Sequence, residues 1–209
     1  IEGVIKLNTN ENPYPPSPAV QRALAEFPLS KLVRYPDPVC RDIRQFLAQK
    51  YRFDPEQIFV GNGSDEILAL CLRAFVERHG TVGYFDPSYS LYPVLAQIEE
   101  VATDPVPLTD DFRWNMPEHY QASLFFLAYP NAPTSQVYDL QLIRQFCRRF
   151  KGVVLIDEAY VDFAEQNCME LVREFDNVMV ARTLSKSYSL AGLRLGYAVG
   201  HVRLMEALF

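Results

Sequence analysis

Lys186 stands out because of its neighbours. In Arg182-Thr-Leu-Ser-Lys-Ser-Tyr-Ser-Leu-Ala-Gly-Leu-Arg194 it sits beside Ser185 and shortly before Arg194. A lysine acts as a nucleophile only as the neutral amine, which an enclosed site or a neighbouring cation promotes. An arginine and a hydroxyl close by are the donors that a phosphate needs. An amine beside a phosphate cradle suits pyridoxal 5′-phosphate (PLP), whose aldehyde condenses with a lysine. A lone loop lysine is ordinarily a solvated charge, so the expectation depends on the rest of the chain.

Further groups fit the same chemistry. Val153-Val-Leu-Ile-Asp157-Glu-Ala-Tyr160 runs an apolar stretch into a carboxylate. Asp157 there can pair with a pyridine nitrogen and keep the ring protonated, which is how such a ring withdraws electrons. Tyr160 could hydrogen-bond the ring's phenolic oxygen. The plainer alternative is that Asp157 caps a helix. Glu158 is expected to face away. Gly61-Asn-Gly-Ser-Asp65 reads as a strand-to-helix turn whose Ser64 and Asp65 amides point at an anion, although Ser64 could equally be an ordinary helix cap. Ser185 and Arg194 complete the phosphate donors. Tyr89 can stack on a pyridine ring, with Tyr92 as its competitor; whichever does not stack is core.

The elements that must position these groups alternate. Short apolar runs at 58–60, 81–85, 101–107, 124–128, 153–156, 178–181 and 195–199 read as strands. Helical patterns fall at 39–51, 65–78, 91–98, 140–150, 168–174 and from 201 onward, with an earlier helix led by Ser17-Pro18. Continuous apolar strands separated by helices predict a three-layer α/β/α fold with a mostly parallel sheet. In such sheets ligands bind beyond the carboxyl ends of the strands, where these candidates fall. Residues 1–30 read as an arm and first helix, and 31–209 as one large domain.

Composition narrows the class. With 49% apolar residues in 209, the chain can bury a sizeable core, and a net charge of −6 argues against nonspecific nucleic-acid binding. The 4 cysteines show no CxxC spacing, and the 3 histidines no ligand spacing, so no metal site is expected. No signal-like or long apolar run is present, which points to a cytoplasmic protein without a membrane partner. The chain starts at Ile1 and stops at Phe209 within a helical pattern, so both ends read as cut.

These residues together resemble the fold-type I PLP enzymes and, among them, the histidinol-phosphate aminotransferases. The likeness runs from Leu7-Asn-Thr-Asn-Glu-Asn-Pro13 through Arg34-Tyr-Pro-Asp37, Gly61-Asn-Gly-Ser-Asp-Glu66, Pro87-Ser-Tyr-Ser-Leu-Tyr92, Tyr129-Pro-Asn-Ala-Pro-Thr134 and Ile156-Asp-Glu-Ala-Tyr160 to the lysine segment. It implies Lys186 as the cofactor-bound amine and proton shuttle. Asp157 would then meet the ring nitrogen, Tyr160 the phenolic oxygen and Tyr89 the ring face. Ser64, Asp65, Ser185 and Arg194 would hold phosphate. Tyr35 would reach the partner subunit's cofactor in a homodimer.

The implied reaction converts L-histidinol phosphate and 2-oxoglutarate to imidazole-acetol phosphate and L-glutamate, in histidine biosynthesis. Where the family commonly has Asn-Asn-Pro-Thr-Gly, this chain has Ala132 for the second Asn and Ser135 for the Gly; Asn131 is the substitute offered for the first of these. The small C-terminal domain that the resemblance implies has no counterpart in the chain. Other readings stay open: a threonine-phosphate decarboxylase or aromatic aminotransferase on the same scaffold, or a PLP-binding fragment without turnover. A nucleotide-binding protein fits less well, because Gly61-Asn-Gly-Ser64 lacks a GxGxxG and a P-loop lysine.

Overall fold

A computed structural model describes residues 5–209. The first four residues of the expected arm lie outside that range. In the arm, helix α1 (Pro18–Ala25) begins where Ser17 Oγ accepts a hydrogen bond from the Val20 amide at 3.4 Å and proline occupies the first turn. None of its residues is buried.

Helix α2 (Arg41–Tyr51) starts two residues later than its sequence signal suggests. The Asp37 carboxylate accepts from the Val39 and Arg41 amides, and Cys40 enters the helix at φ 48°. The cap therefore lies further upstream of the helix than the usual one. Strand β1 (Ile58–Asn62) and helix α3 (Ser64–Phe75) follow, with Gly63 rather than Ser64 at the cap position. Next come β2 (Thr81–Asp86), α4 (Leu91–Ile98), β3 (Ala102–Pro107) and β4 (Leu124–Ala128). Helix α5 (Leu140–Arg149) is opened by Asp139, whose side chain accepts from the Gln141 amide at 2.7 Å. It closes on Arg148 and Arg149, cations that suit the negative end of a helix. The chain continues through β5 (Val153–Asp157), a short α6 (Leu171–Glu174), β6 (Val178–Thr183), β7 (Leu195–Gly200) and α7 (Val202–Glu206).

The strands form one sheet in the order β1-β7-β6-β5-β4-β2-β3. Among the described residues, only β7 runs against the others, pairing antiparallel with both β1 and β6. The reason is local: residues 184–194, between β6 and β7, hold no covering α-helix of the kind a parallel return requires. The carboxyl ends of β1, β2, β4, β5 and β6 consequently share one edge with the amino end of β7.

Side chains on both faces of the sheet are covered. Leu127, Ile156, Val180 and Tyr197 belong to the core on one side, Phe126, Leu155, Ala181 and Tyr92 to that on the other. All five residues of β4 are buried, which explains why its sequence is unbroken Leu-Phe-Phe-Leu-Ala instead of alternating. Each fully buried side chain of this size contributes about 1.5–3 kcal/mol. Among the described residues, no helix is long and apolar enough to cross a membrane.

Candidate active site

Asp157 ends β5 with its side chain toward the edge where the strands finish, and it is 4% exposed. Its Oδ2 accepts from the Tyr92 hydroxyl at 3.0 Å and its Oδ1 from the Ala159 amide at 3.1 Å. Burial pushes the carboxyl up to about 6, against these two donors, and the negative charges of Asp65 and Glu158 add to the rise. Among the described residues, no lysine, arginine or histidine forms an ion pair with it.

Lys186 reaches the same cavity from the β6–β7 connection. The cavity measures about 730 Å³, and both Asp157 and Lys186 line it. That size falls within the usual range for small-molecule sites. The Lys186 Nζ donates to the Thr9 carbonyl at 2.8 Å and lies 5.5 Å from the centre of the Tyr160 ring. The arm thus crosses the site: Asn10 Nδ2 donates to the Tyr160 hydroxyl at 2.9 Å, and Asn12 Nδ2 to the Lys186 carbonyl at 3.2 Å.

The same cavity carries a cradle suited to an anion. The first amides of α3, those of Ser64 and Asp65, have no partner within the helix and face its positive end. Arg194 sits beside them, with Nη2 3.2 Å from Asp65 Oδ2 and 3.4 Å from the Asn62 carbonyl. Two glycines make this approach possible. Gly63 adopts φ 81°, and a Cβ on it would run into the Arg194 guanidinium. A Cβ on Gly196 would lie 2.5 Å from the Ser64 nitrogen. Thr183 Oγ1 donates to Ser185 Oγ at 2.9 Å and accepts from the Ser185 amide at 3.2 Å, which fixes the serine at the rim.

The two tyrosines differ in where they lie. Tyr92 is fully buried, whereas Tyr89 is 38% exposed and lines the cavity. The Tyr89 hydroxyl donates to Asp65 Oδ1 at 3.4 Å. Burial, with the charges of Asp65 and Asp157, holds its phenol above the ordinary range.

Lys186, Asp157, Tyr160, Ser64, Asp65, Tyr89, Ser185 and Arg194 therefore share one cavity. Asn131 and Tyr35 lie outside it, and for Tyr35 this agrees with its expected place at a partner subunit's cofactor. Asn131 is buried, but its amide donates to the Pro87 carbonyl at 3.0 Å and to Thr134 Oγ1 at 2.8 Å, while its oxygen accepts from Ser88 at 2.7 Å. With its bonds spent on locking two loops, it is absent from the cavity wall, which Pro130, Ala132 and Pro133 form instead. Asn131, the stand-in offered for the residue missing at Ala132, thus lies outside that wall. Tyr35 is wholly exposed and also lies outside the wall.

Sequence reasoning missed Thr9, Asn10, Asn12, Thr183 and the bond from Tyr92. The Asn-Glu-Asn-Pro run was a signal for the arm, but its partners lie more than 140 residues away. Chemically, the site offers an amine, a buried acid without a cation, a phenol and an anion cradle around one space.

Residues 2–208 match the family model described as aminotransferase class I and II. This chain belongs to that family. It is 47% identical over 209 residues to the histidinol-phosphate aminotransferase of Citrifermentans bemidjiense, covering 100% of this chain and 60% of that protein. A crystal structure of histidinol-phosphate aminotransferase from Sinorhizobium meliloti in complex with pyridoxal-5′-phosphate superimposes with a TM-score of 0.87 at 27% identity, covering 95% of this chain and 57% of that one. The aspartate aminotransferase of Thermotoga maritima, at 22% identity and a TM-score of 0.84, covers 98% and 60% and shares the fold. The chain spans about 60% of the length of the curated relatives it matches.

Proposed function

We propose that this chain forms the PLP-binding part of an aminotransferase that exchanges the amino group between L-histidinol phosphate and 2-oxoglutarate in histidine biosynthesis. The observation that carries the cofactor reading is the single cavity shared by Lys186 and Asp157. The substrate reading rests on the 47% identity to a histidinol-phosphate aminotransferase along the whole chain.

The donor set fits PLP. A buried carboxylate that no protein cation neutralises is matched by a protonated pyridine nitrogen, an amine by an aldehyde, and a helix N-terminus with an arginine by a phosphate. When bound, PLP supplies a carbonyl for the amine and an electron-withdrawing ring for cleavage of the substrate α-C–H bond.

The chain's own residues do the rest. Lys186 Nζ would take the proton from the substrate α-carbon and return it two atoms away, beyond the amino nitrogen. Asp157 would hold a proton on the ring nitrogen, and the Tyr160 hydroxyl would donate to the ring's phenolic oxygen. Tyr89 would cover one ring face. The Ser64 and Asp65 amides, the Ser185 hydroxyl and Arg194 would hold the phosphate. The arm at residues 8–12 shields the amine from water.

A homodimer in the cytoplasm goes with this reading. Leu29, Leu32, Val33 and Tyr35 all stand exposed on one short stretch, and a subunit contact there would let Tyr35 reach the other cofactor.

The test is reconstitution of the protein with PLP, followed by a panel of L-histidinol phosphate, O-phosphothreonine and aromatic amino acids. The near-visible absorbance of a lysine-bound cofactor should appear and be lost in Lys186→Ala. Amino transfer should be fastest from L-histidinol phosphate. Retention of the band without Lys186 overturns the amine's role, and decarboxylation of O-phosphothreonine overturns the substrate.

A further inference from the structure

Asp157 is gripped from behind by a residue of a different element. Tyr92 projects from the first turn of α4 and is wholly buried. Its ring lies 4.9 Å from Phe126 at a 33° tilt, 5.9 Å from Tyr84, and edge-on to Tyr89 at 5.6 Å. Packed on three sides by aromatic rings, the phenol cannot swing, and its hydroxyl is aimed at Asp157 Oδ2.

We infer that Tyr92 is a positioning residue that sets both the direction and the charge of the Asp157 carboxylate. The inference rests on the proposed cofactor reading only where it extends to PLP affinity; the contact itself lies wholly within the protein.

Each Asp157 oxygen has one donor, the Ala159 amide on Oδ1 and Tyr92 on Oδ2. With both anchored, the carboxylate plane is fixed where Asp157 lines the cavity, and each oxygen keeps a lone pair for a further donor. The two anchors differ in kind. The amide belongs to the strand end and moves with Asp157, whereas the phenol is carried by α4 and ties the acid to a separate element. A hydrogen bond to the charged form of an acid favours ionisation. Burial first, then the Asp157 charge, keeps the Tyr92 phenol well above its ordinary value, so it remains a donor. The other charged or titratable groups around Asp157 are Asp65 from α3, Tyr89 before α4, Glu158 beside it on the strand, and Tyr160, Lys186 and Arg194 around the cavity. Among these, Asp65 and Glu158 oppose ionisation.

Tyr92→Phe keeps the ring packing and deletes only the donor. The matched control is Tyr129→Phe, which removes a buried hydroxyl that has no hydrogen-bond partner. The measurement is the side-chain carboxyl ¹³C titration of the cofactor-free protein, with the Asp157 signal assigned by its loss in Asp157→Asn. Tyr92→Phe should raise the Asp157 midpoint by about one pH unit, a tenfold weaker acid, and Tyr129→Phe should leave it in place. Site-specific 3-fluorotyrosine at position 92, a stronger donor, should lower the midpoint and covers the case of a poorly folded Phe variant. A midpoint that stays put or moves the other way in these proteins overturns the inference.

A second readout is the PLP dissociation constant against pH. Tyr92→Phe should weaken binding by about twofold near neutrality and by close to tenfold near pH 5, shifting the profile with the carboxyl titration. If wild-type protein binds no PLP, the cofactor reading fails, while the carboxyl titration still decides the role of Tyr92.

Discussion

Asp157 and Glu158 are adjacent in the chain, buried to nearly the same degree, and opposite in what surrounds them. Strand alternation sends them to different faces of the sheet. Glu158 meets the Arg182 guanidinium, with Oε2 2.7 Å from both Nε and Nη2, and its Oε1 accepts from the Cys168 amide. Burial pushes its carboxyl up, and Arg182 and that amide pull it back. Burial also works against the Arg182 charge, but Glu158, with Tyr197 and Tyr51, outweighs it and holds the guanidinium above its ordinary range. The Tyr51 hydroxyl accepts from Arg182 at 3.2 Å and shares a 2.7 Å hydrogen bond with Tyr197, so α2, β5, β6 and β7 meet there. Asp157 has only neutral donors. One strand end thus carries an acid whose charge is satisfied inside the protein, and beside it an acid whose charge awaits something from outside. The first pair holds strands together; the second group is available for chemistry.

The largest effect should come from breaking the satisfied side. Glu158→Gln strands a buried guanidinium and should cost about 3–5 kcal/mol in urea unfolding. Replacing both partners together, as Glu158→Leu with Arg182→Met, should cost much less than either single change, since no lone charge remains. A double variant as unstable as the single ones would break the comparison.

On the unsatisfied side the loss should be functional. On the proposed reading, Asp157→Asn should lower turnover of L-histidinol phosphate by about 10²–10³-fold, the scale for removing one preorganised electrostatic partner. Near-wild-type turnover would remove Asp157 from the chemistry.

The same substitution should also stabilise the cofactor-free protein, and only at higher pH. Asp157 takes up its proton at an ordinary 3.8 when unfolded and at about 6 when folded. Between those values the folded state binds more protons, so stability falls as pH rises through the window and the loss is complete above it. At about 1.4 kcal/mol per pH unit, the full difference approaches 3 kcal/mol. Unfolding of Asp157→Asn should match wild type near pH 4 and exceed it at pH 8. Equal stabilities at pH 8 would mean that Asp157 carries no buried charge.

The smallest effect should be at Asn131. Asn131→Ala should lower stability by about 1–3 kcal/mol through its lost loop bonds, with PLP affinity changed only a few-fold. A collapse of PLP affinity at unchanged stability would return Asn131 to the site.

Much of this arrangement was legible in the residues. Apolar runs alternating with helical periods mark a covered sheet, because a strand buried on both faces has no polar side to show. The direction of Glu158 away from Asp157 follows from strand alternation. The late start of α2 was not legible, because the Asp37 carboxylate reaches past Val39 to the Arg41 amide. The antiparallel course of β7 was also hidden, since an apolar run looks the same in either direction.

The chain alone determined which chemical groups exist and roughly where along the strands they lie: an amine, acids, phenols and a glycine turn, each at a strand end. Tertiary structure decided which of them meet. It put Tyr89 at the cavity and Tyr92 behind Asp157, spent Asn131 on the loops, and laid the arm over Lys186. Side-chain type and period are local properties of the sequence. A hydrogen bond between residues 65 or 177 positions apart exists only once the sheet has closed and the helices have covered it.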